Sequence, residues 1–175
     1  MNCALELDGW SKGFRRLEQQ KGLNLGVTRI GINTGSCIVG NFGGKKRFDY
    51  TAHGDAINSA ARLEAINQRL GTTICVSEAT VNQCQGIYFR SVATLVLRGK
   101  ENGIKTYMPV NGQGMDETHA AKYEKAYELL SEDDPDSTDL FNQLVTQYPQ
   151  DPLARLHSSR IGAGEHSTTM IIRKK

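Results

Sequence analysis

The sequence predicts an α+β fold, a layered arrangement of short strands and helices, on three observations. The run Val27-Thr28-Arg29-Ile30-Gly31-Ile32 alternates and is rich in β-branched residues, and turns follow it at Thr34-Gly35 and Gly40-Asn41-Phe42-Gly43-Gly44. Residues 55–70 carry Ile57, Ala60, Ala61, Leu63, Ile66 and Leu70 at helical spacing between Asp55 and Gly71. Two further β-rich runs, 88–97 and 104–110, are joined by Arg98-Gly99-Lys100-Glu101-Asn102-Gly103.

Residues 1–21 read as a helix already in progress, with Cys3, Ala4, Leu7, Trp10, Phe14 and Leu17 near helical spacing and Gly22 as its C-cap. Strands are expected at 27–32 and 36–39, a hairpin loop at 40–44 and a return strand at 48–51. Asp55 is the expected cap of the next helix, because its carboxylate can accept the orphan N–H groups of the first turn, and Gly71 ends that helix. A strand at 72–76 precedes a short helix at 78–84 capped by Ser77.

Beyond the strand pair, residues 111–118 turn Gly-rich and polar and read as a linker. Helices are expected at 120–130, 137–148 and 151–161, with Pro135, Pro149 and Pro152 at helix starts or turns. The stretch LFNQLVTQYPQDPLARLHSSRI is similar to one tetratricopeptide-type unit. Such repeats bury their faces on stacked neighbours, so the favoured reading is a helical appendix packed on its own domain. Residues 168–175 read as a short strand or a frayed tail. The expected organisation is a domain at 1–110, a linker at 111–118 and a helical tail at 119–175.

Composition narrows the function classes. An apolar share of 38% and a charged share of 23% are those of a globular protein, not a disordered one. A formal charge of +2 argues against nucleic acid as a partner. Cys3, Cys37, Cys75 and Cys84 form no CxxC pair and lack a His at zinc spacing, which favours free thiols in a reducing cytoplasm. No apolar run approaches the length of a membrane span.

The chemistry concentrates in RIGINTGSCIVGNFGGKKRFDYTAHGDAINSAARLE, residues 29–64. Asn58 and Arg62 are four positions apart, so both project from one helix face, one turn from each other. A carboxamide and a planar cation above a glycine-rich turn suit a sugar oxygen or a phosphate. Taken alone, the pair is better read as a solvated Arg and a second capping Asn. Lys45, Lys46 and Arg47 read as a solvated basic loop, and His53 as a strand-end side chain.

Three segments in order, RIGINTG…VGNFG, FDYTAHGDAINSAARLE and LVLRGKENGIKTYMPV, closely resemble the catalytic domain of the class III adenylate and guanylate cyclases. The resemblance runs from the start of the chain to about Val110. It implies a ferredoxin-like cyclase-type sheet with helices, its N-terminal strands missing, plus the helical appendix. It also implies that Asn58 orients the ribose of the substrate and that Arg62 neutralises charge on the α-phosphate. Thr51 falls at the purine-selecting position, which favours ATP over GTP, although a hydroxyl that donates and accepts suits either purine. Arg98, with Lys100 nearby, falls where the family reaches the triphosphate; an exposed basic hairpin explains both as well.

Family members use two divalent ions, Mg²⁺ or Mn²⁺, held by two Asp residues. Neither Asp pattern occurs in this sequence, so the resemblance implies no metal ligand here and a missing central strand, which exposes an apolar sheet edge. The expectation is the C-terminal part of a longer, homodimeric adenylate cyclase that makes cAMP and pyrophosphate and is inactive alone. Its expected setting is cytoplasmic, with a parent that can be membrane-tethered. Two alternatives stay open: a regulatory subunit that lends Asn58 and Arg62 to a second cyclase domain, and an interaction module built on the C-terminal helices.

Overall fold

The computed structural model describes residues 1–44, 47–97, 102–110 and 115–172, and the architecture is α+β as expected. In chain order the elements are α1 (Asn2–Gln20), β1 (Ile30–Ile32), β2 (Ile38–Gly44), β3 (Arg47–His53), α2 (Asp55–Leu70), β4 (Ile74–Ser77), α3 (Glu78–Val81), β5 (Phe89–Leu97), β6 (Ile104–Pro109), α4 (Glu117–Ser131), α5 (Asp136–Gln147), α6 (Pro152–Gly162) and β7 (Thr169–Ile172). Five strands form one sheet in the order β1-β4-β6-β5-β7. The β1–β4 and β5–β7 pairs are parallel, and β6 runs antiparallel to both of its neighbours. The β2–β3 ribbon stands apart as a two-stranded hairpin.

Several sequence expectations shift; among them, the short helix expected at 78–84 ends at Val81 and the strand expected at 72–76 is Ile74–Ser77. Residues 40–44 are strand, not loop, because Gly40 to Gly44 pair in register with Thr51 to Arg47, and ladder pairing overrides the weak β preference of glycine. The tip at 45–46 lies outside the described residues, as do the side chain of Arg47 and the expected basic loop. Strand β1 starts at Ile30, not Val27, because its partner β4 begins only at Ile74. Gly54, not Asp55, holds the N-cap of α2; Asp55 is the first helical residue, where its charge meets the positive end of the helix. Helix α4 begins at Glu117, inside the expected linker, because Asp116 caps it by accepting from the His119 N–H at 2.7 Å. Residues 111–114 of that linker lie outside the description.

A single cluster of buried side chains joins the sheet to the helices. It contains Leu63, Ile66 and Leu70 of α2, Cys75 of β4, Val92 and Leu95 of β5, Tyr123 of α4, Phe141 of α5 and Leu153 of α6. Burial pushes the Cys75 thiol up to about 12, so it packs as a small hydrophobe. The chain end closes the unit: β7 pairs with β5 from Thr94↔Thr169 to Leu97↔Ile172. Residues 173–175 of the expected tail lie outside the description.

One buried ion pair ties the sheet to α6. Arg90 of β5, 1% exposed, donates through both terminal nitrogens to the Asp151 carboxylate, with Nη1 to Oδ1 at 3.0 Å. His119 Nε2 donates to the same carboxylate at 2.9 Å, and Asp151 Oδ1 caps α6 by accepting from Leu153 N–H at 3.0 Å. The guanidinium also lies 3.4 Å above the Tyr123 ring. Burial alone would raise the Asp151 carboxyl, but hydrogen bonds and charge from Arg90, then His119, outweigh it and hold the group below its ordinary value.

His157 of α6 gives the fold an acid limit. The ring is fully buried, and Nε2 donates to the Val92 carbonyl at 3.0 Å. Burial, then the charge of Arg160, pushes its pKa from 6.5 down to about 4. Between those values the unfolded chain binds a proton that the folded chain refuses, so stability falls as pH drops through that window. The loss is expected to reach about 3 kcal/mol by pH 4. Denaturant midpoints from pH 7 to 4 check it, with His157→Phe flattening the curve. A wild-type midpoint unchanged across that range would contradict a buried neutral ring.

Candidate functional site

Helix α2 carries the pair singled out from the sequence. Its buried face is Ser59, Leu63, Ile66, Asn67 and Leu70. Asn58 and Arg62 lie on the opposite, exposed face. Thr51 is exposed on β3, opposite Gly40, and the chain passes from β3 through Gly54 directly into α2. Thr51, Asn58 and Arg62 therefore stand on one continuous strand–turn–helix segment. Arg98 and Lys100 lie outside the described residues.

Residues the sequence reading left unassigned hold this helix in place. Gly31 faces α2 so closely that an added Cβ would lie 2.2 Å from the Ala60 carbonyl oxygen and 2.2 Å from the Glu64 nitrogen. Both obstructing atoms are backbone, so no side-chain rotation relieves the clash. The signal in the sequence is a glycine within a β-rich run, which often marks such an approach. Gly31→Ala is expected to cost about 1–3 kcal/mol or more by displacing α2, and to lower any activity that uses Asn58 and Arg62. Thermal unfolding and activity measured together check this; an unchanged Tm would contradict the contact.

Asn67, fully buried, is the second anchor. Its Nδ2 donates to the carbonyls of Ile30 at 3.0 Å, Leu63 at 3.0 Å and Glu64 at 3.2 Å. Its Oδ1 accepts from the Thr72 hydroxyl at 2.6 Å. At the other end of α2, Asn33 Nδ2 donates to the Ala56 carbonyl at 3.2 Å. The outer face is thus set on a helix pinned to the sheet at both ends, the arrangement that a precise binding surface requires.

Around this segment the structure gathers polar groups and cations. A cavity of about 660 Å³ near the N-terminus of α2 is lined by Asn33, Thr34, Gly35, Ser36 and Ser59 among others. Another of about 280 Å³, by the start of β1, is lined by Lys12, Arg15 and Arg29 without a lining carboxylate. Arg15 and Arg29 are half-buried, and no described carboxylate pairs with either.

The described carboxylates lie apart from one another or are already engaged, except for Asp55 and Glu78, which both line the 660 Å³ cavity. Among the described residues no three His, Cys, Asp or Glu side chains converge. Asp8 is buried and its carboxylate is occupied by Lys12 at 2.6 Å. Asp49 lies exposed on β3, and Asp55 begins α2.

Comparison with known proteins gives these features a family. The model of the adenylate and guanylate cyclase catalytic domain matches residues 3–111. "Adenylate cyclase 1" of Rhizobium meliloti is 38% identical over 106 residues, which is 60% of this chain and 16% of that protein. "Adenylate cyclase, terminal-differentiation specific" of Dictyostelium discoideum is 30% identical over 93 residues, 51% of this chain and 4% of that protein. The chain therefore spans only a small part of the length of these relatives. The crystal structure of adenylyl cyclase CyaB from P. aeruginosa aligns with a TM-score of 0.54 at 29% identity, over 62% of this chain and 56% of that one. With the family model covering most of the chain and a cyclase structure matching its fold, this chain belongs to the class III adenylate and guanylate cyclase catalytic domain family.

Proposed function

We propose that this chain furnishes the substrate-orienting face of an adenylate cyclase site that converts ATP to cAMP and pyrophosphate. The observation that carries the reading is the exposed Asn58–Arg62 pair on a helix whose opposite face is packed and pinned. In this reaction the ribose 3′-oxygen bonds to the α-phosphorus and loses its proton. The bond from the α-phosphorus to the bridging oxygen breaks, and pyrophosphate leaves with the electron pair. Fixed charge and positioning dominate such a transfer, because little covalent work falls to the protein.

In this reading Asn58 hydrogen-bonds the ribose and sets the angle of attack. Arg62 meets the charge that builds on the α-phosphate oxygens with a planar, permanently charged fork. Thr51 faces the purine edge, and Arg98 with Lys100 reaches the triphosphate. In the same reading Mg²⁺ or Mn²⁺, which would polarise the α-phosphate, is held by a second cyclase domain, because neither Asp pattern of the family occurs in this sequence. That second domain is another copy of the parent protein or a distinct subunit.

The test is complementation. The chain is incubated with Mn²⁺ and ATP or GTP, alone and with a cyclase domain that keeps its metal-binding carboxylates but lacks its own Asn–Arg pair. Cyclic AMP is expected only in the mixture. Cyclic nucleotide from the chain alone would overturn the half-site reading, and a silent mixture would overturn the roles of Asn58 and Arg62. A mixture that prefers GTP would reverse the assignment of Thr51.

A further inference from the structure

The cavity by the start of β1, of about 280 Å³, lies where three stretches of chain meet. Helix α1 contributes Lys12 and Arg15, the segment leading into β1 contributes Thr28 and Arg29, and the turn after α2 contributes Gly71 and Thr73. Its volume falls just below the usual range of small-molecule sites, about 300–1,000 Å³, and suits a single small group. None of the residues proposed for catalysis lines it.

The charge of this wall is one-sided. Lys12, Arg15 and Arg29 line the cavity and no carboxylate does. Lys12 has a partner outside the lining, the Asp8 carboxylate at 2.6 Å. Arg15 and Arg29 are half-buried, and no described carboxylate pairs with either. A guanidinium that has given up part of its water without gaining a counter-charge is costly to hold. The carbonyl end of α2 borders the cavity through Gly71, but a helix end carries only about half a negative charge. It does not balance two guanidinium groups.

The donors on the wall define the anion. A guanidinium offers parallel N–H groups that match two oxygens of an oxyanion, and Thr28 and Thr73 add hydroxyls. The Thr72 hydroxyl, by contrast, is spent on Asn67 Oδ1 at 2.6 Å. A carboxylate brings one charge and two oxygens, enough for one guanidinium. A phosphate group brings up to two charges and at least three free oxygens, enough for both.

We propose that this cavity binds a phosphate group, with Arg15 and Arg29 meeting its charge and Thr28 and Thr73 donating to its oxygens. The bound anion ties α1 to the entrance of β1 and to the turn after α2. It binds the folded chain, so it raises the unfolding temperature by mass action.

The experiment titrates inorganic phosphate, glycerol phosphate and acetate into the ¹⁵N-labelled chain at constant ionic strength, because salt screens such contacts. A pH of about 8 keeps the phosphate group close to doubly charged. Saturable amide shifts are expected at Arg15, Thr28, Arg29 and Thr73, together with a rise in Tm. Acetate is expected to bind at least about tenfold weaker. Tighter binding of inorganic phosphate assigns the site to the free ion, and tighter binding of glycerol phosphate to a phosphate carried on a larger molecule; both orders support the site. Arg15→Gln and Arg29→Gln are each expected to weaken phosphate at least about tenfold, and Arg29→Lys to recover part of that loss. No saturation, equal binding by acetate, or shifts confined to Asn58 and Arg62 would each overturn the proposal. If Arg29→Gln fails to fold, Arg15→Gln on α1 decides, and unchanged phosphate affinity there overturns the assignment.

Discussion

Asp151→Ala is expected to destabilise the chain by about 3–5 kcal/mol, a large share of the stability of an ordinary domain. The substitution leaves Arg90, 1% exposed, charged in the core without its carboxylate. It also removes the acceptor for His119 Nε2 and the cap that takes the Leu153 and Ala154 N–H groups at the start of α6. Breaking one side of a buried pair costs far more than the pair contributes when intact, because the stranded charge cannot be resolvated. Asp151→Asn keeps an oxygen for the helix cap and is expected to fall between wild type and alanine. The measurement is the denaturant midpoint at neutral pH. A loss below about 1 kcal/mol for the alanine variant would mean that water reaches Arg90 and that the cluster is not sealed.

Arg62→Ala is expected to lower cyclic AMP output in the complementation assay by about a hundred- to a thousandfold, the usual cost of removing a group that meets charge in a transition state. Its effect on folding is expected to stay below about 1 kcal/mol, because the side chain is exposed on α2 and surface interactions contribute little. The separation of the two readouts is the point. Gly31→Ala lowers activity through a displaced helix and a lower Tm, whereas Arg62→Ala lowers it with Tm preserved. Arg62→Lys keeps the charge without the fork and is expected to recover part of the loss. Equal output from Arg62→Ala and wild type would remove Arg62 from the site.

What the sequence alone determined is what local pattern encodes. Helix α2 and the exposed placement of Asn58 and Arg62 follow from a 3.6-residue period, which needs no knowledge of the rest of the chain. Gly71 was readable as the end of that helix because it is a glycine just past the last periodic residue, and it adopts the left-handed conformation there with φ of 70°. The family was readable because three motifs keep their order and spacing. Where local rules misplaced elements, tertiary pairing had overruled them: the glycines of β2 are strand because β3 lies beside them.

The contacts that join distant positions arise from packing of the whole chain. Gly31 matters because α2 crosses it, which a glycine in a strand suggests but does not specify. Arg90 and Asp151 are 61 positions apart, and neither residue type announces a buried partner. The last strand, β7, returns to pair with β5, and the C-terminal helices share the core of the sheet. These follow from the packing of the whole chain, in which burial and hydrogen bonding at long sequence separation outweigh the preferences of any short segment.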